Sequence, residues 1–421
     1  MSLQQGISGL NAASKNLEVI GNNVANANTF GAKSSRAEFA DMYANAITGA
    51  GAANVGIGVT VASVAQQFNQ GNVNATGNAM DLAINGTGFF QLDNGNGPVS
   101  YTRNGQFRVD RDGFVVNSQN QKLMGYPADT AGIIQPGGAK PLQLPTAGIK
   151  PTATDRIRIE MNLDARSGIT VPVSGPPLNV TDPATYNNAT SVTVYDAKGQ
   201  DVALTYYFQK AGTDQWNVYI TANGTPLAMD AAGNPAVSTS ITFPSDGAAP
   251  TAPVGAVSID VPASTNAAGA QTLAISGVQL NLSSASQYGS SFNVTDLTQN
   301  GYAPGQLLGI QFESNGVLMT RYSNGQSKPV GQVELASFRN PQGLQPIGGN
   351  GWASTFASGD PVMGVPSNGL MGALQAGALE ESNVDLTAEL VNMITAQRTY
   401  QANAQTIKTV DQVLQTLVNL R

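Results

Sequence analysis

Ala378-Leu-Glu-Glu-Ser-Asn-Val-Asp-Leu-Thr-Ala-Glu-Leu-Val-Asn-Met-Ile-Thr-Ala-Gln-Arg-Thr-Tyr400 opens a C-terminal stretch that runs to Arg421 without a Gly or Pro, in a chain of 421 residues holding 47 Gly and 22 Pro. Leu386, Met393, Tyr400, Ile407 and Leu414 stand seven apart, with Leu390, Ala404 and Val418 four residues after three of them. Val410 and Leu417 widen the stripe. An unbroken heptad stripe of this length reads as one long helix that seeks a partner helix. Ser382-x-x-Asp385 reads as its capping box. About 36 residues at the helical rise would span roughly 55 Å, too long for one small core to cover.

The partner is expected at the other terminus. Leu3, Leu10, Leu17 and Val24 are also seven apart, with Ile7 and Ile20 beside them and Ser2-x-x-Gln5 as a second capping box. The chain thus leaves a helical base, builds something else and returns. Neither stripe has enough apolar neighbours to hide it alone. The expectation is a coiled-coil pairing of the two stripes with each other and with other copies. The candidate assembly interface is Leu3, Leu10, Leu17, Val24, Leu386, Leu390, Met393, Tyr400, Ile407 and Leu414.

Only 11% of residues are charged, against roughly 25% in ordinary globular proteins. Small polar side chains must therefore cover the surface, which suits repeated packing against copies and equally suits a secreted, soluble β protein. The net charge of -7 argues against nucleic acid, which needs a basic face. No apolar run is long enough to span a membrane. The first cation is Lys15, so no basic segment precedes an apolar core, and a cleaved signal peptide is not expected.

Between the helices the patterning predicts a multidomain chain with two nested all-β domains. Residues 27–70 carry no strong period and read, with Gly-rich 343–377, as connectors, the most flexible part being 46–58. Ile84, Phe89, Phe90 and Leu92 begin an inner β domain over 71–144, resumed over 287–342. Asn104-Gly105, Asp112-Gly113, Asn315-Gly316 and Asn324-Gly325 are its turn signals. The insertion, 145–286, holds Ser191-Val-Thr-Val-Tyr195, Ala203-Leu-Thr-Tyr-Tyr-Phe208 and Trp216-Asn-Val-Tyr-Ile220 as strands, with Lys198-Gly199 as a turn. It reads as an outer sandwich or barrel, with linkers at 136–151 and 172–177 at its entrance. The expected domains are therefore helical termini 1–26 and 378–421, connectors, inner β domain and outer β domain.

Catalytic chemistry finds few footholds. Without His or Cys, a Ser-His-Asp triad, a Cys nucleophile and ordinary zinc sites are excluded. No Gly-Lys-Ser/Thr phosphate loop occurs, and Gly86-Thr-Gly88 runs into Phe-Phe-Gln rather than a dinucleotide fingerprint. Asp93-Asn-Gly-Asn-Gly97 has Asn104 where a calcium loop needs Glu, so it reads as a turn. The expectation is a protein that is not an enzyme and holds no cofactor or metal.

Ile7-Ser-Gly-Leu-Asn-Ala12, Leu17-Glu-Val-Ile-Gly-Asn-Asn-Val-Ala-Asn26, Leu379-Glu-Glu-Ser-Asn-Val-Asp-Leu386 and Gln397-Arg-Thr-Tyr-Gln-Ala-Asn403 resemble the terminal signatures of the flagellar rod and hook protein family. Arg103-Asn-Gly-Gln-Phe107 and Asn300-Gly-Tyr-Ala-Pro-Gly305 are family-like too. Lys33, Arg36, Phe39 and Tyr43 lie in a family-like segment, where Phe39-x-x-x-Tyr43 resembles a hydrophobic export-gate motif or, equally, two packed residues. The resemblance covers both termini and the first β domain. Length and the large insertion match hook rather than distal rod subunits. What it implies is a structural subunit of a curved, flexible tube that passes torque from rod to filament. It also implies export by the flagellar type III apparatus with the N-terminus retained, an extracellular location, and contact with rod, hook-cap and hook–filament junction proteins. The alternatives are a distal rod subunit, forming a straight tube, and a secreted trimeric β protein that binds a glycan or surface partner.

Overall fold

The computed structural model describes residues 2–42, 56–95, 97–129, 131–145, 147–172 and 177–419. Tyr43, nearly all of the 46–58 stretch, the linker centre at 173–176 and the side chains of Leu417 and Val418 lie outside the described residues. The chain divides into two compact units. One gathers Met1–Thr146, Gly309–Arg321 and Ser327–Arg421; the other gathers Ala147–Leu308 and Tyr322–Gln326.

The first unit begins with helix α1, Ser2–Ala25. A hairpin follows, β1 (Ser35–Met42) against β2 (Gly58–Gln66), where the sequence reads as a connector without a strong period. Its short apolar alternation, Phe39 against Val61, is too brief to register as a period. Strand β3 (Val73–Ala75) pairs with Ala378–Glu380, and β4 (Leu82–Asn85) with Ala373–Ala376. The outgoing and returning chain are thus zipped together. Strand β5 (Phe89–Asp93) is central, pairing with β6 (Ser100–Thr102), Lys122–Pro127 and Leu335–Ser337.

Period-2 alternation gives β5 two buried faces. Phe90 and Leu92 join Leu82, Ile84, Leu123 and Leu335 in one core. Phe89 points the other way, into an aromatic cluster with Tyr101, Phe338 and Trp352. Its rings meet edge-on, Phe89 to Trp352 at 5.7 Å and Tyr101 to Phe338 at 4.8 Å. The 343–377 segment is therefore no free connector. Gln345–Gly348, Gly351–Ala353, Val362–Gly364 and Ala373–Ala376 are strands, and Trp352 drives the segment into the core.

The C-terminal helix α2 spans Leu386–Asn419, 34 residues, starting later than the sequence reading placed it. Residues Ala378–Glu380 are strand. The cap is Asp385, whose Oδ1 accepts the N–H groups of Thr387 at 2.9 Å and Ala388 at 3.1 Å. Ser382 instead accepts from Val384. Asp reaches the second and third helical N–H groups from the position directly before the helix, which Ser382 cannot.

Between the strand zipper and the helices lies a buried ion triad. Glu380 accepts from Lys33 Nζ at 2.5 Å and Arg103 Nη1 at 3.0 Å; the three side chains are 0%, 0% and 5% exposed for Glu380, Lys33 and Arg103. The Gly71 N–H also donates to Glu380 Oε1 at 3.0 Å. Lys33 donates to the Asn69 carbonyl at 2.8 Å, and Arg103 Nη2 to that of Gly86 at 2.7 Å. Burial pulls the pKa of Lys33 below the ordinary lysine value against the attraction of Glu380. Burial likewise lowers that of Arg103.

The second unit is a sandwich. Arg156–Asn162 lies between Ile275–Asn281, parallel, and Asn293–Gln299, antiparallel, with Val257–Val261 beyond. The facing sheet is the meander Asn188–Tyr195, Asp201–Gly212 and Gln215–Ala222, joined by Thr239–Thr242. Ile157, Ile159, Leu204, Tyr206, Phe208, Trp216 and Val218 alternate inward to one core. The expected boundary at 286 moves outward, because Asn293–Gln299 carries Val294 and Leu297 onto this core. The short 147–152 run pairs with Tyr302 and Gly305 within the same unit.

One turn device recurs in both units. Asp110, Asp129, Asp196 and Asp230 each accept, through Oδ1, the N–H groups two and four residues on. The third residue on is a Gly with φ between 77° and 86°. The Asp fixes the turn and the Gly supplies the left-handed step. At Asp112-Gly113 and Lys198-Gly199, then, the deciding residue stands three before the Gly. Asp196 is fully buried and also accepts from Leu273 N–H at 2.7 Å.

Asp196→Ala should therefore lower the stability of the second unit by about 3 kcal/mol, because three partly buried N–H groups lose the carboxylate that accepts them. Urea denaturation measures this, with Asp230→Ala, on an exposed turn, as the mild comparison. Glu380→Gln should destabilise the first unit by about 3–5 kcal/mol, because it strands two buried cations. Replacing Lys33, Arg103 and Glu380 together by Met should recover most of that loss, as read by thermal denaturation.

Candidate assembly interface

Helices α1 and α2 run antiparallel. The Gly6 position faces Ile407, Gly9 faces Asn403, and Asn23 meets Glu389. A Cβ at Gly6 would come within 2.9 Å of Ile407 Cγ1, and one at Gly9 within 2.9 Å of the Asn403 amide. The seam is built from small residues: Gly6, Gly9, Ala12 and Ala13 on α1, Ala396 on α2. Small side chains let the two backbones approach closely, and Val19 and Ile20 fill the space where the hairpin adds a third wall.

Polar ties fix this arrangement. Asn23, buried, exchanges hydrogen bonds with the Ser35 backbone, 2.8 Å each way, and donates to Glu389 Oε1 at 3.0 Å. Asn383 Oδ1 accepts from Ser34 N–H at 2.7 Å, and its amide donates to the Gln67 carbonyl at 2.8 Å. Gln5 Nε2 donates to the Gly56 carbonyl at 2.6 Å, and the Val59 N–H donates to Ser8 Oγ at 3.3 Å. Around these ties opens a groove of about 650 Å³, lined by Ala12, Val19, Ile20, Phe39, Val59 and Ala396 among others.

The expected pairing of the two large-residue stripes is corrected here. Leu3, Leu386, Leu390, Tyr400 and Leu414 are exposed, from 37% at Tyr400 to 51% at Leu414. Leu10, Leu17, Val24, Met393 and Ile407 are half-buried. Ile407 is seen across the seam, against Gly6. The sequence reading ranked positions by side-chain size; the intrachain seam is ranked by closeness of approach, which selects Gly and Ala. The seam has its own heptad spacing, Gly6–Ala13–Ile20 and Glu389–Ala396–Asn403. The exposed half of the large stripes remains uncovered, and Ile7, Val391, Ile394 and Val413 extend it. Phe39 is exposed on β1.

The sequence reading passed over Lys33, Arg103, Glu380, Asn23 and Asn383 as functional residues, although each stood in or beside a quoted signature. Charged residues are scarce in this chain, and such residues inside apolar surroundings were the available signal. Among the described residues no cluster of metal-ligating side chains occurs, and no helix is long and apolar enough to cross a membrane.

Comparison with known proteins agrees with this architecture. Residues 3–33 match the model of flagella basal body rod proteins, 83–200 that of the flagellar hook protein FlgE/F/G D1 domain, 162–302 that of the flagellar basal body protein FlaE D2 domain, and 375–420 that of the flagellar basal body rod FlgEFG protein C-terminal region. The chain is 43% identical to the flagellar hook protein FlgE of Salmonella typhimurium and 40% identical to that of Escherichia coli K12, each over the full length of both proteins. The crystal structure of the Helicobacter pylori flagellar hook protein FlgE2 shares the fold, with a TM-score of 0.53 at 16% identity, over 73% of this chain and all of that one. Full-length similarity at this level decides among the readings that the sequence left open: the chain belongs to the flagellar hook protein FlgE family and is a structural subunit of the hook.

Proposed function

We propose that this subunit polymerises through the apolar stripes that its own helix pair leaves uncovered. The carrying observation is the separation of two surfaces on the same helices. Gly and Ala close the intrachain seam, while Leu3, Leu386, Leu390, Tyr400 and Leu414 face outward. Exposed apolar area on this scale marks an interaction surface. A contact of this kind that does not close on itself makes an open helical tube. The half-buried members, Leu10, Leu17, Val24, Met393 and Ile407, become covered when a neighbouring helix lies across them.

The tube couples the rod to the filament and bends as it turns. Its subunits meet rod proteins at one end, a cap during growth and junction proteins at the other. They leave the cell through the flagellar export apparatus, keep their N-terminus and reside outside the cell. The helical termini form the tube's inner wall, and the two β units form its outer layers. The weakly charged β surfaces let neighbouring subunits slide, since few ion pairs hold them in one register. The chain acts in this as structure, without catalysis or cofactor.

The seam and the stripes are separable by substitution. Leu386→Ser, Leu390→Ser and Leu414→Ser combined should leave the monomer's thermal denaturation unchanged, because all three are exposed, yet abolish tubes in negative-stain electron microscopy. Removing Leu414–Arg421 should act in the same direction. Gly9→Val should instead push α1 from α2 and alter the helix signal of the monomer itself. Normal tubes from the triple Leu variant would overturn this view of the stripes.

A further inference from the structure

Two buried side-chain oxygens of the first unit have no hydrogen-bond partner among the described residues: Glu334 Oε2 and Gln91 Oε1. Glu334 is 4% exposed and Gln91 9%. Strand pairing brings the two residues to one place. Along β5, Phe89 and Phe90 pair with Ala336 and Leu335, whereas Leu92 and Asp93 pair with Leu123 and Lys122. Gln91 stands where β5 changes partner. Glu334, one residue before Leu335, stands at the same junction, and its N–H donates to the Met124 carbonyl at 3.3 Å. Alternation fixes the face. Phe90, Leu92, Val333 and Leu335 point into one core, so Gln91 and Glu334 point to the other side, that of Phe89, Tyr101 and Ala336.

The Glu334 carboxyl has one side-chain partner. Tyr126 Oη donates to its Oε1 at 2.5 Å. Glu334 belongs to none of the ion pairs among the described residues. The ionisable groups that face it are Tyr126, on Lys122–Pro127, and Tyr101, on β6, and burial raises the pKa of both phenols. A buried carboxylate with no cation beside it is costly. Glu380, in the same unit, has two. At the Glu334 junction two acceptor oxygens lack a donor, and a protonated carboxyl supplies one. Burial also raises the Glu334 carboxyl above the ordinary glutamate value, against the Tyr126 hydrogen bond.

We propose that Glu334 is a neutral carboxylic acid in the folded chain, its Oε2–H donating to Gln91 Oε1, and that this proton is an alkali-sensitive lock on the strand junction. Its removal leaves a bare carboxylate and an unpaired amide oxygen beside the aromatic cluster through which Trp352 holds the returning chain. The folded chain binds the proton more tightly than the unfolded chain does. The contribution to stability is therefore complete below the ordinary glutamate range and is lost as pH rises through the higher folded value.

The test is infrared spectroscopy of the full-length chain beside Glu334→Gln, which keeps the shape of the neutral acid and a donor toward Gln91. At pH 6 an ordinary glutamate is about 98% ionised. A carboxylic-acid C=O band present at that pH in the unsubstituted chain and missing from the variant is expected. Absence of this difference band overturns the proposal; that is the result if a water molecule donates to both oxygens of an ionised site. Urea denaturation between pH 5 and pH 8 gives a second reading. The midpoint of Glu334→Gln should move upward relative to the unsubstituted chain as pH rises. A difference that is flat with pH, or that moves the other way, overturns the lock. Tyr126→Phe removes the one side-chain hydrogen bond that favours the ionised form, so the acid band should persist to higher pH. Loss of the band at lower pH in that variant would count against the protonated carboxyl.

Discussion

The arrangement of the first unit depends on one carboxylate. Glu380 sits with no exposed side-chain surface between Lys33, on the chain leaving α1, and Arg103, on the chain following β6. Its own backbone carbonyl accepts the Gly31 N–H at 2.8 Å. One residue thereby ties the outgoing arm, the returning arm and the β core. A buried ion group of this kind adds little net stability over an apolar one, because desolvation offsets the attraction. What it does impose is registry: two cations and one anion are satisfied in a single arrangement of three chain segments. The zipper of β3 with Ala378–Glu380, and of β4 with Ala373–Ala376, is set in the same register.

From that fixed point the helices are brought side by side, and the division of labour on their surfaces follows. Close approach requires Gly6, Gly9 and Ala396 where the backbones cross. Large side chains such as Leu386, Leu390 and Leu414 then lie exposed on the helix. A monomer selected only for its own stability would turn Leu386 and Leu390 inward. Here their exposure is the counterpart of a tight intrachain seam. The polar ties of Asn23 and Asn383 work with this, since each satisfies backbone groups of the hairpin that would otherwise face the groove.

The second unit is held by other means. Its core is a plain sandwich of alternating apolar residues around Trp216, whose Nε1 donates to Gln287 at 2.7 Å. Two of its turns, at Asp196 and Asp230, use the Asp-x-x-Gly device, so local hydrogen bonds define those strand ends with little aid from long-range ion pairs. That economy agrees with a surface poor in charge.

The sequence by itself determined the two terminal helices, the inserted β module and the family. Those features rest on local or additive signals: heptad spacing between Leu386 and Leu414, period-2 runs such as Ala203–Phe208, and contiguous motifs at both termini. The tertiary structure decided which face of each helix is spent inside the subunit. It also decided that 343–377 is woven into the sheet by Trp352, and that Asn293–Gln299 belongs with Arg156–Asn162. It alone joined Lys33, Arg103 and Glu380. The physical reason is the same in each case. Close backbone approach favours the smallest residues, strand pairing joins segments far apart in sequence, and a buried charge is defined by its partners. The seam's own heptad is written in small residues and the other two leave no local trace, so a reading that ranks residues by size and spacing finds the exposed apolar stripes before it finds the seam that faces inward.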